Sequence, residues 1–253
     1  MRKIDKDLAD IPAKLVVSEE QLTHKRRIEL ISKGAYIYEL RYDSRYKTSD
    51  IKEKLNNIYL HKCAYCENYS EQTHVDHYRP KKDYYWLAYS WDNLICSCPM
   101  CNQFKKNEFA IKGERVSPPN ATDDLSNINL WSSQIYDQQE KPLLLNPERD
   151  VLEDMFVFDK EGKIYGKNER GNYTIKICHL NRASLVDERR RIIDELINKV
   201  RAVFLKTENK ELKKNRFQFI IEDFVNSAYD DSRKFTAFRK YAVMCLGDIV
   251  REI

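Results

Sequence analysis

Glycine and proline are scarce in this chain, with six and seven among 253 residues. That scarcity argues against a turn-rich all-β fold and in favour of helix. No charge sign dominates: 44 basic residues face 40 acidic ones, leaving +4. Such a balance is compatible with an anionic partner and demands none. No run approaches the 18 consecutive apolar residues of a membrane span, so no membrane association is expected. The opening MRKIDKDLAD is charged and lacks the apolar stretch of a secretory signal, which makes a cytoplasmic location the expectation. Internal repeats, low-complexity tracts and a Gly-x4-Gly-Lys-Ser/Thr phosphate loop are also missing, so the chain supplies no ATPase of that kind.

What is present suffices for a core, since 42% of residues are hydrophobic. The first sixty residues read as helical and polar, with Ile51, Leu55 and Ile58 at helical spacing behind a possible cap at Ser49 or Asp50. GERVSPPNATDDLSN reads as a loop, and MFVFDKEGKIYG as a short hairpin turning at Asp159–Gly162. Beyond it, Asn181 or Ser184 is placed to cap a helix whose face carries Leu185, Ile192, Leu196, Val200 and Val203. Further stripes run through Phe217–Phe224 and Phe235–Ile249, and all three stripes are read as core-facing. The expectation is an α+β, mostly α-helical protein in three parts. These are a helical segment 1–60, a cysteine-rich core 61–112, and a mainly helical region 113–253 with a hairpin near 155–166.

The seven cysteines stand out, because in a reducing compartment they read as metal ligands or buried thiols and not as disulfides. Cys63-Ala-Tyr-Cys66 and Cys98-Pro-Met-Cys101 are two C-x2-C turns able to give four thiolates to one tetrahedral Zn²⁺. Cys96 competes with Cys98, but only Cys98 makes the tight C-x2-C spacing. Cys178 and Cys245 lie in apolar helical patterns and are assigned to the core. Four thiolates close a zinc site to water, so this ion is expected to be structural. Its effect is to bring the residues around Cys66 and Cys98 together.

Between the two turns lies HVDHYRPKK. Asp76 offers a hard oxygen ligand for a divalent cation, and His77 a base that is mostly neutral near pH 7. Adjacent strand residues face opposite ways, so a strand end or bulge is needed for both to reach one site. On the return, WDNLICSCPMCNQFKK carries Asn93 at the start of a strand and Asn102 in the first turn of a helix running to about Glu108.

The stretch Cys63–Lys106 resembles the HNH nucleases, whose core is a ββα-metal unit. The likeness rests on Val75-Asp76-His77, Pro80, Trp91-Asp92-Asn93-Leu94, Cys98, Cys101-Asn102 and Lys105 between the paired cysteines. It covers under a fifth of the chain. The resemblance implies metal-dependent hydrolysis of phosphodiesters. In it, His77 is the general base, Asp76 and Asn102 bind a catalytic Mg²⁺ or Mn²⁺, and Asn93 orients the loop that holds His77. Asn102 stands where many members have histidine.

CAYCE, VDHYRPK, WLAYSWDNLI and LLLNPERD, set between helical ends, extend the likeness to the PtuB-like HNH proteins of Septu and retron-associated antiphage systems. That likeness implies an ABC/AAA-type ATPase partner of the PtuA kind, possible retron components, and DNA as substrate. An RNase acting on tRNA and a non-catalytic zinc-stabilised binding module are the competing readings. Arg79, Lys81, Lys82, Lys105 and Lys106 are placed to contact phosphates, or else form a solvated face. Residues 182–216 hold eleven basic against six acidic residues, read as a charged helix exterior before a nucleic-acid track. The aromatics of DYYWLAYSW are read as packing before base stacking. His61 and His74 are read as surface groups or supports, not ligands.

Overall fold

A computed structural model describes residues 1–251. Its helices are α1 (Leu22–Lys33), α2 (Leu40–Asp43), α3 (Ser49–Tyr59), α4 (Pro99–Lys105), α5 (Asp137–Glu140), α6 (Glu169–Ile177), α7 (Ala183–Lys206), α8 (Lys210–Tyr229), α9 (Thr236–Met244) and α10 (Leu246–Arg251). Two small antiparallel hairpins complete it: β1 (His74–His77) with β2 (Leu94–Ser97), and β3 (Phe156–Phe158) with β4 (Ile164–Gly166). The mixed, helix-rich class and the second hairpin match expectation. No described helix is long and apolar enough to cross a membrane.

The helical reading of the first sixty residues needs correction. Up to Gln21 the chain is irregular apart from a short turn at Ala13–Leu15. Met1, Ile4 and Lys6 are buried, and the Lys6 ammonium donates to the carbonyls of Trp91 and Leu94, both at 2.7 Å. An extended strap satisfies those carbonyls at the end of the Trp91–Asn93 turn, where a helix would withdraw the lysine. From α3 onward the periodicity holds: Ile51 and Leu55 are buried, Ile58 packs half-buried against the core, and Tyr59 beside it is the third buried position. This helix ends in two left-handed residues, Leu60 and His61 (φ 54° and 55°), which turn the chain into the first cysteine pair.

β1 and β2 pair with His74 opposite Ser97 and His77 opposite Leu94. α4 follows at once, with Pro99 in its first turn and the Cys98 sulfur accepting from the Cys101 amide at 3.4 Å. A sulfur thus fills the capping role usually taken by an oxygen. The unit is a ββα hairpin-and-helix, and its connection 78–93 is packed with Tyr84, Trp86, Tyr89 and Trp91, each at most 2% exposed. Those aromatics are core, as expected.

The C-terminal helices pack onto the first cysteine turn. The buried Lys62 ammonium donates to the carbonyls of Asp231 (2.5 Å) and Arg233 (2.8 Å), which follow α8. Asn181 does not cap α7. Its carboxamide clasps both backbone groups of Ile164 at 2.8 Å, and Arg182 stands at the helix start. One apolar cluster runs from Ile4 to Ile249 through all three expected segments.

Candidate active site

The first cysteine turn is tied to β2 by the Ala64 amide, which donates to the Cys96 carbonyl at 2.8 Å. This brings Cys63 and Cys66 against Cys98 and Cys101, and all four sulfurs lie within 4.8 Å of one another. Sulfurs around a tetrahedral zinc with Zn–S near 2.3 Å stand about 3.8 Å apart. The Cys66–Cys98 separation is 3.9 Å, so the donor set fits such an ion. Cys96 is outside the cluster; its sulfur faces the Asn56 carboxamide oxygen at 3.6 Å. Burial drives the Cys63 thiol pKa up, whereas hydrogen bonds from Cys101, Cys63 and Cys66 hold that of Cys98 far down. Such a buried group of thiols cannot ionise together without a cation.

Arg182 supplies part of that compensation, and nothing in its sequence context signals it. The guanidinium reaches Cys101 Sγ at 3.5 Å, Cys66 Sγ at 3.7 Å and Cys98 Sγ at 3.9 Å. With Arg189, which donates to the carbonyls of Gly162 and Leu180, it takes two members of the basic run 182–216 out of the solvent face.

β1 ends at His77, and the strand end resolves the facing problem. His74, Asp76, His77 and Asn102 all line one cleft of about 400 Å³, together with Tyr46, Lys47, Lys52, Lys81 and Lys106. The buried His77 imidazole packs edge-on against Tyr46, centroids 4.5 Å apart, and its Nε2 bonds the Ala88 carbonyl at 3.0 Å. A carbonyl can only accept, so Nε2 carries the proton and Nδ1 the lone pair. Burial, helped by the Lys81 ammonium, lowers the imidazole pKa to about 3, so the ring stays neutral.

Asp76 is buried on the α4 side. Lys105 Nζ approaches its Oδ1 at 3.4 Å and donates to the His77 carbonyl at 2.7 Å, and the Tyr65 hydroxyl meets Oδ2 at 3.4 Å. Burial raises the Asp76 carboxyl pKa, with Lys105 opposing. Asn93 is fully buried: its oxygen accepts from the Arg79 amide at 2.8 Å and its nitrogen donates to the Arg79 carbonyl at 3.1 Å. It therefore orients the backbone just after His77 and does not face the cleft.

Two residues expected to meet phosphates are internal. Arg79 is 0% exposed and engages Glu140 Oε2, Asp137 Oδ1 and the Ser132 hydroxyl at 2.6–2.8 Å. Lys105, at 1% exposed, is the partner of Asp76. In both cases an acidic or carbonyl partner inside the fold holds the cation away from solvent. Lys82 is exposed but does not line the cleft, whereas Lys81 and Lys106 do. Lys81 donates to the Tyr46 hydroxyl at 2.7 Å and lies 4.2 Å from the Tyr36 ring centroid. Lys47 and Lys52 are not legible as site residues in the sequence, because a lysine in a polar stretch carries no mark of a site. His74 carried a usable signal, since it lies two residues before Asp76 and so shares its strand face.

A four-sulfur cluster beside a ββα unit, with an imidazole, a carboxylate and a carboxamide around one cleft, is the arrangement of an HNH-type domain. Residues 63–108 match the HNH endonuclease family. The chain is 29% identical to the Septu protein PtuB of Bacillus mycoides (strain KBAB4), over 73% of this chain and 65% of that protein. It is also 29% identical to part of the Septu protein PtuA of the same strain, over 61% of this chain and 22% of that protein. The chain thus spans less than two thirds of the length of either relative.

Proposed function

We propose that this chain is an endonuclease that hydrolyses DNA phosphodiester bonds, and that it serves an antiphage system together with an ATPase of the PtuA kind. The observation that carries the reading is the fixed, neutral His77, its Nε2 held by Ala88, in one cleft with Asp76 and Asn102. Nδ1 of His77 takes the proton of the attacking water. Asp76 and Asn102 would hold a Mg²⁺ or Mn²⁺, and Cys63, Cys66, Cys98 and Cys101 would hold a structural Zn²⁺. When bound, the hard cation would supply positive charge to the phosphate oxygens of the substrate. Asn93 keeps the His77 loop in register, and Lys47, Lys52, Lys81 and Lys106 meet phosphates along the strand. The products carry 5′-phosphate and 3′-hydroxyl ends. The partner and the defence role are supported by the likeness to PtuB over most of the chain.

The test is Mg²⁺-dependent cleavage of plasmid and of total tRNA, with and without the ATPase. His77→Ala should lower DNA cleavage by about 10²–10⁴-fold while zinc content and melting temperature stay put. Full activity in that variant would remove the role given to His77, and cutting confined to tRNA would replace the substrate.

A further inference from the structure

A carboxamide has one end that a hard cation accepts and one that it rejects. The oxygen of Asn102 is a ligand, whereas its nitrogen presents only hydrogens. The two ends are nearly equal in size, so packing alone does not choose between them. Here Asn102 Nδ2 donates to Nδ1 of His74 at 3.1 Å, a contact that selects the nitrogen end when that imidazole nitrogen carries its lone pair. His74 and Asp76 share one face of β1, and both line the cleft with Asn102 and His77. With its nitrogen committed to the imidazole, Asn102 has its oxygen left for the site.

We propose that His74 is a positioning residue for the second cation, holding the Asn102 carboxamide oxygen-outward without being a ligand itself. This rests on the reading of Asn102 as a ligand. It gives work to a histidine that sequence alone leaves as a surface group, and it explains how an asparagine serves where orientation decides binding.

The experiment is Mn²⁺ binding to the zinc-loaded full chain at pH 8, read by the electron paramagnetic resonance of free Mn²⁺, so that no turnover is needed. His74→Ala should weaken Mn²⁺ binding about tenfold. His74→Gln, which keeps an acceptor, should restore most of it. The deciding step is the Asn102→Asp background, where either carboxylate oxygen serves and orientation is irrelevant. There His74→Ala should cost nothing. An equal loss in both backgrounds would make His74 a ligand and overturn the proposal, as would no loss in the native background. If Asn102→Ala leaves Mn²⁺ binding unchanged, the ligand assignment itself falls, a result distinct from failure at His74 alone. His74 is exposed at the start of its strand, so the variants should fold, and zinc content and melting temperature verify it.

Discussion

Asp92 shows how a buried charge can serve architecture at a cost. It is 0% exposed, and the backbone amide and hydroxyl of Ser133 donate to its Oδ2 at 2.8 and 3.0 Å. Burial lifts its carboxyl pKa from the ordinary 3.8 to about 6, against the opposing pull of Arg149. Between those values the folded chain holds a proton that the unfolded chain has released. The stability contributed by this group is therefore largest below about pH 4, falls as pH rises, and is flat above about pH 7. Two units correspond to at most about 3 kcal/mol. Asp92→Asn keeps the acceptor for Ser133 and removes the titration. The stability of the wild type relative to this variant, from urea melts across pH 4–8, should fall through that window. A difference that does not move with pH would mean that the carboxyl ionises in the folded state as it does in water. Residue-scale logic also explains the misplacement of Arg79 and Lys105. A basic side chain reads the same in sequence whether it faces water or a buried acid, and Glu140 stands 61 residues from Arg79.

The elements that the sequence declares most clearly are those built from short-range spacing. Two C-x2-C turns, the strand end at His77 and the hairpin at 156–166 depend on neighbours a few residues apart, so local pattern suffices. The helical stripe of α7 is visible for the same reason, and its Leu185, Ile192, Leu196, Val200 and Val203 are buried. The N-terminal strap is not visible, because its extended course is set by distant carbonyls at Trp91 and Leu94 and not by its own propensity. The choice between Cys98 and Cys96 is legible from spacing alone. It predicts that Cys98→Ser loses the metal and unfolds at lower temperature, while Cys96→Ser keeps one zinc per chain by elemental analysis. Arg182→Met should keep the zinc but release it faster to a chelator, because the guanidinium that offsets thiolate charge is gone. Equal release rates, followed with a chromogenic chelator, would show that the reach of Arg182 to the sulfurs carries no weight.

At the scale of the molecule, the HNH-type domain is embedded in its surroundings. Its cleft borrows Tyr46, Lys47 and Lys52 from the segment ahead of it. Replacing Lys47 and Lys52 by Gln should weaken DNA binding without regard to sequence and reduce the salt slope by about one for each phosphate no longer neutralised. An unchanged slope would take the two lysines out of the path of the strand. The embedding extends to the fold. Arg79 needs Glu140 and Asp137, Lys62 needs the carbonyls of Asp231 and Arg233, and the sulfur cluster needs Arg182. Trp86 donates to the Tyr136 hydroxyl at 3.1 Å, and the Trp91 amide donates to the Asn129 side-chain oxygen at 2.9 Å. A fragment of residues 61–112 would expose the aromatic faces that meet these partners, strand the Arg79 and Lys62 cations made for an interior, and leave the sulfur cluster without Arg182. Chains of about fifty residues bury too little surface to absorb that loss, even with a metal inside. Such a fragment should bind zinc yet show poor amide dispersion by NMR and no cooperative thermal transition, whereas the full chain melts in one step through its single core. A fragment that folds and melts cooperatively would show that the zinc and the ββα hairpin suffice, and that the helical flanks serve partner or substrate alone.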